Sequence, residues 1–258
     1  MYQPSAPVYQ EIIDFVRKTG ERLQERSGQI TDLKQGKVWI TEEDVRIERE
    51  LTDLVLKANQ QAKIYAEEEH SMFESGDEVW IIDPISHTFS FIHGLPHYAI
   101  VISRMIKGEI QFGLIYDVSL DELFVAERNQ GTFLNNKSIK VSSLEEDWAL
   151  IYDSHPVGEH KKADNLKILD KLMELGRVKA YGSMALHYAY VACGRVQVAV
   201  TTPQDAFPEF AGKLIVEEAG GLFENFAANE FSINDRDFIA AADRETMSIV
   251  RDKLGLKS

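Results

Sequence analysis

The chain has 258 residues, and its 28 Lys and Arg face 42 Asp and Glu, a formal charge of −14 at pH 7. That excess repels phosphate backbones and makes nucleic acid a poor primary partner. No apolar run is long enough to cross a bilayer, so no membrane partner is expected. At 44% hydrophobic residues the chain can bury a sizeable core, as one large domain or two tightly joined halves. The opening residues lack a basic stretch followed by an apolar one, so no secretory signal is expected. A lone cysteine, Cys193, has no intramolecular disulfide partner, and a reducing cytoplasm is the expected location.

Ile12, Phe15, Val16 and Leu23 recur near helical spacing and predict an amphipathic helix over 8–26. A second helix is predicted over 41–60. Thr41 is its N-cap, Asp44 completes a pattern like a capping box, and Val45, Ile47, Leu51, Leu54 and Val55 form the apolar stripe. The short apolar runs 64–66 and 79–82 end in acidic residues and are predicted as buried strands that deliver carboxylates to one rim. From Tyr98 to Val141 the pattern is a meander, with strands at 98–106, 110–117, 122–127 and 132–134. Asn135-Asn136 closes a further hairpin. Beyond it, strands at 149–152, 178–181, 196–201 and 238–241 alternate with helices at 165–175, 183–192, 209–219 and 244–254. The expected division is 1–143, helices on an antiparallel sheet, and 144–258, an α/β subdomain, tightly joined as one unit.

Three acidic segments carry the chemistry. Glu67-Glu68-Glu69-His70 and Asp83-Pro84-Ile85-Ser86-His87-Thr88 each follow an apolar run, and Asp205 and Glu209 lead into a helix that ends at Gly220-Gly221. Carboxylates gathered from separate strand ends suit a hard cation such as Mg²⁺, which takes about six oxygens at roughly 2.1 Å and keeps several waters. Taken singly, each segment has a plainer reading. Glu67–Glu69 can be a solvated loop, Asp83 a turn former before proline, and Asp205 a helix cap or turn residue. His70 reads as a surface residue and Cys193 as a small hydrophobe. His93 and His97 flank Gly94-Leu95-Pro96, which excludes a helical pair for zinc.

Together the segments resemble the inositol monophosphatase superfamily of Mg²⁺-dependent, lithium-sensitive phosphatases. The resemblance rests on Trp39-Ile40-Thr41-x-x-Asp44, Ala66-Glu67-Glu68, the stretch 80–88 with Phe91, Gly182-Ser183 with Ala185-Leu186, Ala211-Gly212, and 215–221, in that order and near that spacing. It implies a layered αβαβα sandwich and, by analogy, a homodimer. It also implies that Glu67, Asp83 and the Ile85 carbonyl hold the tighter metal. Glu68 and Thr88 then orient water, with Thr41 and Asp44 behind them. Two positions depart from the pattern. Asp-Pro-Ile-Asp-Gly-Thr becomes Asp83-Pro84-Ile85-Ser86-His87-Thr88, and the Trp-Asp pair becomes Phe207-Pro208. Two carboxylates of the second metal are therefore missing, and Asp205 and Glu209 stand at neither matching position.

One Mg²⁺ site is thus expected, with the second in doubt. The expected activity is hydrolysis of a small polyol or sugar phosphomonoester, weak or altered. The rival expectation is an inactive relative that keeps the fold for ligand sensing or protein interaction.

Overall fold

In the computed structural model, residues 2–30, 39–142, 148–154, 162–203 and 205–256 are described; the expected 143/144 junction lies outside them. Helix α1 (Pro7–Arg26) has proline in its first turn, where the missing N–H is no loss. Helix α2 (Glu42–Ala58) begins at Thr41, whose side chain accepts from the Glu43 and Asp44 N–H groups. The Thr41 N–H in turn donates to Asp44 Oδ2 at 2.7 Å, which completes the capping box. Thr41→Ala removes the cap and a partner of the buried Asp44, so urea unfolding is expected to show a loss of about 1–2 kcal/mol.

Seven strands form the first sheet in sequence order. β1 (Lys63–Ala66) is parallel to β2 (Glu78–Ser86). The rest are antiparallel: β3 (Ala99–Ile106), β4 (Glu109–Asp117), β5 (Glu122–Glu127), β6 (Gly131–Leu134) and β7 (Lys137–Ile139). Asn135 and Asn136 both take positive φ in the β6–β7 turn, as a tight two-residue hairpin requires. Between β2 and β3 lies α3 (Thr88–His93), too short to show a helical period in the sequence.

The second sheet runs in the order β11-β12-β10-β8-β9. It comprises β8 (Trp148–Ser154), β9 (Gly176–Lys179), β10 (Val198–Thr202), β11 (Leu222–Asn225) and β12 (Phe238–Ala241). β8 is parallel to β9 and β10, while β12 is antiparallel to its neighbours. The helices of this half are α4 (Lys162–Met173), α5 (Met184–Ala192), α6 (Phe207–Glu218) and α7 (Arg244–Leu254).

Alternation along β2 shows how the layers stack. Trp80 and Ile82 pack with Ile12, Ile47 and Leu51 of α1 and α2, whereas Val79 and Ile81 join the core built by α5 and α6. A strand buried on both faces reads as one continuous apolar run, which is how 79–82 reads. Every residue of α5 is buried, as befits a helix between two sheets. On the far face of the second sheet, Leu172 of α4 and Met247 and Val250 of α7 pack on Leu150, Val198 and Ile239. The result is the expected αβαβα sandwich. Among the described residues, no helix is long and apolar enough to cross a membrane.

Candidate active site

Ala66 and Ile82 are register partners on parallel strands. The next residues, Glu67 and Asp83, therefore emerge side by side at one end of the sheet. Beyond Asp83 the register against β3 shifts before Ser86, and the chain turns into α3 through His87 at φ 69°, ψ 56°. A side chain in this left-handed conformation costs roughly 1–2 kcal/mol, a cost that glycine escapes. The backbone that the family pattern assigns to glycine is thus kept, with an imidazole added to it.

That ring lies against Gly182, itself at φ +98°, where an added Cβ would fall 2.1 Å from His87 Cε1. Gly182→Ala is expected to lower stability by about 2 kcal/mol or more, and His87→Gly in the same chain to restore part of it. Urea unfolding of the two singles and the double measures the coupling.

A cavity of about 150 Å³ opens at this point. Glu67, Asp83 and Asp205 line it, together with Ile85, Ser86, His87 and Thr88. Pro208, in the first turn of α6, also lines it, and so do Trp39, Phe89, Gly182, Met184 and Pro203, none of which except Trp39 and Gly182 belonged to a sequence motif. Asp83 is buried, and its Oδ1 has no hydrogen-bond partner. Burial and the neighbouring Asp205 push its carboxyl well above the usual range. Glu67 is pushed the same way by burial, then by Asp83 and Asp205.

An unpartnered buried oxygen among mutually repelling carboxylates fits a cation. Among the described residues no three His, Cys, Asp or Glu side chains form a closed cage. The donors that fit are therefore two carboxylates and the Ile85 carbonyl, with water completing the shell.

Thr88, Asp44 and Thr41 form one network behind the cavity. Thr88 Oγ1 lies 2.9 Å from the Ile85 carbonyl and 3.2 Å from Asp44 Oδ1, and Thr41 Oγ1 donates to Asp44 Oδ2 at 2.5 Å. Burial pushes the Asp44 carboxyl up to about 6, against the hydrogen bonds from both threonines. Glu68 does not line the cavity; its N–H donates to Glu48 Oε2 at 2.8 Å. Glu48 is fully buried and also accepts from the Glu69 N–H and meets His70 Nδ1 at 2.8 Å. It anchors the whole acidic loop, and His70, expected at the surface, is half-buried against it.

The sequence reading missed Glu48. The signal was a polar line at i, i+4, i+8 on α2, Asp44, Glu48 and Thr52, all three buried. Glu209 stays out of the cavity: it is fully buried and accepts from the Tyr188 hydroxyl at 2.9 Å. Asp205 is the acidic residue of the third segment that faces it. Ser86 Oγ accepts instead from Ser183 Oγ at 3.1 Å.

His187, on α5, is fully buried with neither ring nitrogen hydrogen-bonded, its Nε2 3.7 Å from Asp153 Oδ2. Asp153 Oδ2 holds the Gly182 N–H at 2.9 Å. Burial lowers the His187 pKa from 6.5 to about 3. Below its ordinary pKa the unfolded chain takes up a proton that the folded chain refuses, so stability falls by about 1.4 kcal/mol per pH unit. His187→Leu is expected to lose about 2 kcal/mol less than the parent between pH about 7.5 and about 5, by urea unfolding at each pH.

The layered fold that gathers these carboxylates at the end of a parallel strand pair is shared with proteins of known structure. An inositol monophosphatase of Thermotoga maritima superposes with a TM-score of 0.86 at 31% identity, over 96% of both chains. The chain belongs to the inositol monophosphatase family, whose sequence profile it matches over residues 5–254. It is 33% identical over 230 residues, 88% of each chain, to the T. maritima fructose-1,6-bisphosphatase/inositol-1-monophosphatase. It is 31% identical over 223 residues, 84% of each chain, to the Nus factor SuhB of Escherichia coli.

Proposed function

We propose that the protein hydrolyses a phosphomonoester with one well-held Mg²⁺, at a rate below that of relatives with all the metal carboxylates. The observation that carries this reading is the buried, unpartnered Asp83 Oδ1 beside Glu67 and Asp205. Glu67, Asp83 and the Ile85 carbonyl hold the ion. When bound, it neutralises charge on the phosphoryl oxygens and makes a coordinated water more acidic.

The chain supplies the rest. Thr88 orients the attacking water, its hydroxyl set by Asp44 and the Ile85 carbonyl, and Thr41 fixes Asp44 in turn. Glu68 lies outside the cavity wall and shapes the site through the loop anchored on Glu48. At the places of the second ion's ligands, Ser86 offers a neutral hydroxyl and Pro208 nothing, so the departing oxygen lacks its counter-charge.

Mg²⁺ titration by calorimetry, beside phosphate release from a panel of phosphomonoesters, tests the reading. One binding event with slow turnover is expected; no binding and no release would refute it. A crystal soaked in Mn²⁺ should show a single fully occupied ion near Asp83, and two would overturn the one-ion statement. Inositol 1-phosphate should turn over far below the ordinary enzymatic range of roughly 1–10³ per second. A rate within that range would show that the altered ligands do not matter.

A further inference from the structure

The cavity, at about 150 Å³, is smaller than the roughly 300–1,000 Å³ of sites that engulf a whole small molecule. It accommodates a phosphoryl group and water, so the alcohol portion of an ester must lie on its rim. Beyond the acidic residues and Ser86, His87 and Thr88, the wall is apolar. Met184, Pro203 and Pro208 contribute from the second half of the chain, Trp39 and Phe89 from the first. Trp39 and Phe89 are 47% and 41% exposed, and their rings meet edge-on with centroids 6.2 Å apart. His93 joins them, 4.3 Å from Phe89 and 6.1 Å from Trp39.

Scattered exposed hydrophobics need no explanation, but three rings in contact at the mouth of a charged cavity do. The Phe89 side of the platform is held by the fold. Phe91, in the same short helix, is fully buried, and its carbonyl accepts from the Gly28 N–H at 3.0 Å and Ser27 Oγ at 3.3 Å, at the end of α1.

We propose that Trp39 and Phe89 bind the alcohol portion of the substrate and select phosphomonoesters whose alcohol presents a flat, apolar ring face. This rests on the phosphomonoesterase reading and departs from the polyol or sugar expected of the sequence. A ring face stacks on aromatic side chains with a preference of about three- to tenfold. Polyol hydroxyls turned toward the same wall lose water and gain no partner there.

The test uses the full chain with Mg²⁺ and three substrates: benzyl phosphate, adenosine 3′-monophosphate and glycerol 2-phosphate. Benzyl and glycerol esters both leave as alkoxides, so their comparison reports recognition rather than leaving-group acidity. The benzyl ester should exceed glycerol 2-phosphate in kcat/KM. Trp39→Ala and Phe89→Ala should each lower that ratio about three- to tenfold, and Trp39→Phe should keep most of it. A ratio unchanged in both alanine variants, or a parent that prefers glycerol 2-phosphate, overturns the proposal. The nucleotide arm separates a nucleobase from a carbocyclic ring as the source of the face.

Benzylphosphonate and methylphosphonate binding, read by quenching of Trp39 fluorescence against Trp39→Phe, needs no turnover. Should no ester be hydrolysed, the phosphomonoesterase reading fails. Tighter binding of benzylphosphonate, lost in Phe89→Ala, would then still support the platform. Equal binding of the two phosphonates would refute it.

Discussion

Asp83→Asn is expected to reduce phosphate release by at least about a hundredfold while leaving the cation-free protein as stable as the parent, or more so. The two effects share one origin. Asp83 is buried, its Oδ1 lacks a partner, and burial and the charge of Asp205 disfavour its ionised form. In the absence of a cation that charge is a liability, and the amide removes it at nearly constant volume. With a cation present, the same charge is a ligand, and an amide oxygen replaces it poorly. Urea unfolding in EDTA, Mg²⁺ calorimetry and phosphate release separate the terms. A variant that unfolds several kcal/mol more easily and still hydrolyses ester would show that Asp83 is structural. Glu67→Gln should shift all three measurements in the same directions.

Much of this site could be read before the fold was known, and the reason is local. Apolar runs that end in carboxylates are visible as strings, and the parallel register of β1 and β2 turns those strings into neighbours. The cap at Thr41 was legible for the same reason, since its partners lie within three residues. What stayed hidden depends on distant segments. Trp39 and Phe89 become a rim only when α3 is docked on the end of α1. Glu48 gains its role only when the acidic loop folds onto it. Asp205 and Glu209 both stand near the missing ligand position in the sequence, and the fold sends Asp205 to the cavity and Glu209 to Tyr188. The unusual histidine was visible, but its left-handed backbone and its contact with Gly182 were not.

Restoring the missing groups together, as Ser86→Asp, His87→Gly and Pro208→Asp, is expected to add a second Mg²⁺ and raise phosphatase activity above every single change. Ligands of one ion act as a unit, so the effects are strongly non-additive. Ser86→Asp alone should restore little, because Pro208 still supplies no oxygen and the His87 ring still occupies the cavity wall. The fold tolerates all three changes on physical grounds. His87 already holds a glycine-like φ of 69°. Pro208 sits in the first turn of α6, where an aspartate gains from the helix dipole, while the N–H it adds has no acceptor within the helix and opposes that gain. Ser86 is buried and already faces the cavity. The added charge is the opposing term. Two new carboxylates beside Glu67, Asp83 and Asp205 should make the triple variant less stable than the parent in EDTA and more dependent on Mg²⁺ for its thermal stability. Calorimetry and phosphate release on the three singles and the triple decide the matter, with melting curves at rising Mg²⁺. A folded triple variant that binds no further ion and releases no more phosphate than the parent would mean that the backbone around β2 and α6 has moved off the two-metal geometry. In that event Asp205, the carboxylate already facing the cavity, would be the group to which the single remaining ion is adapted.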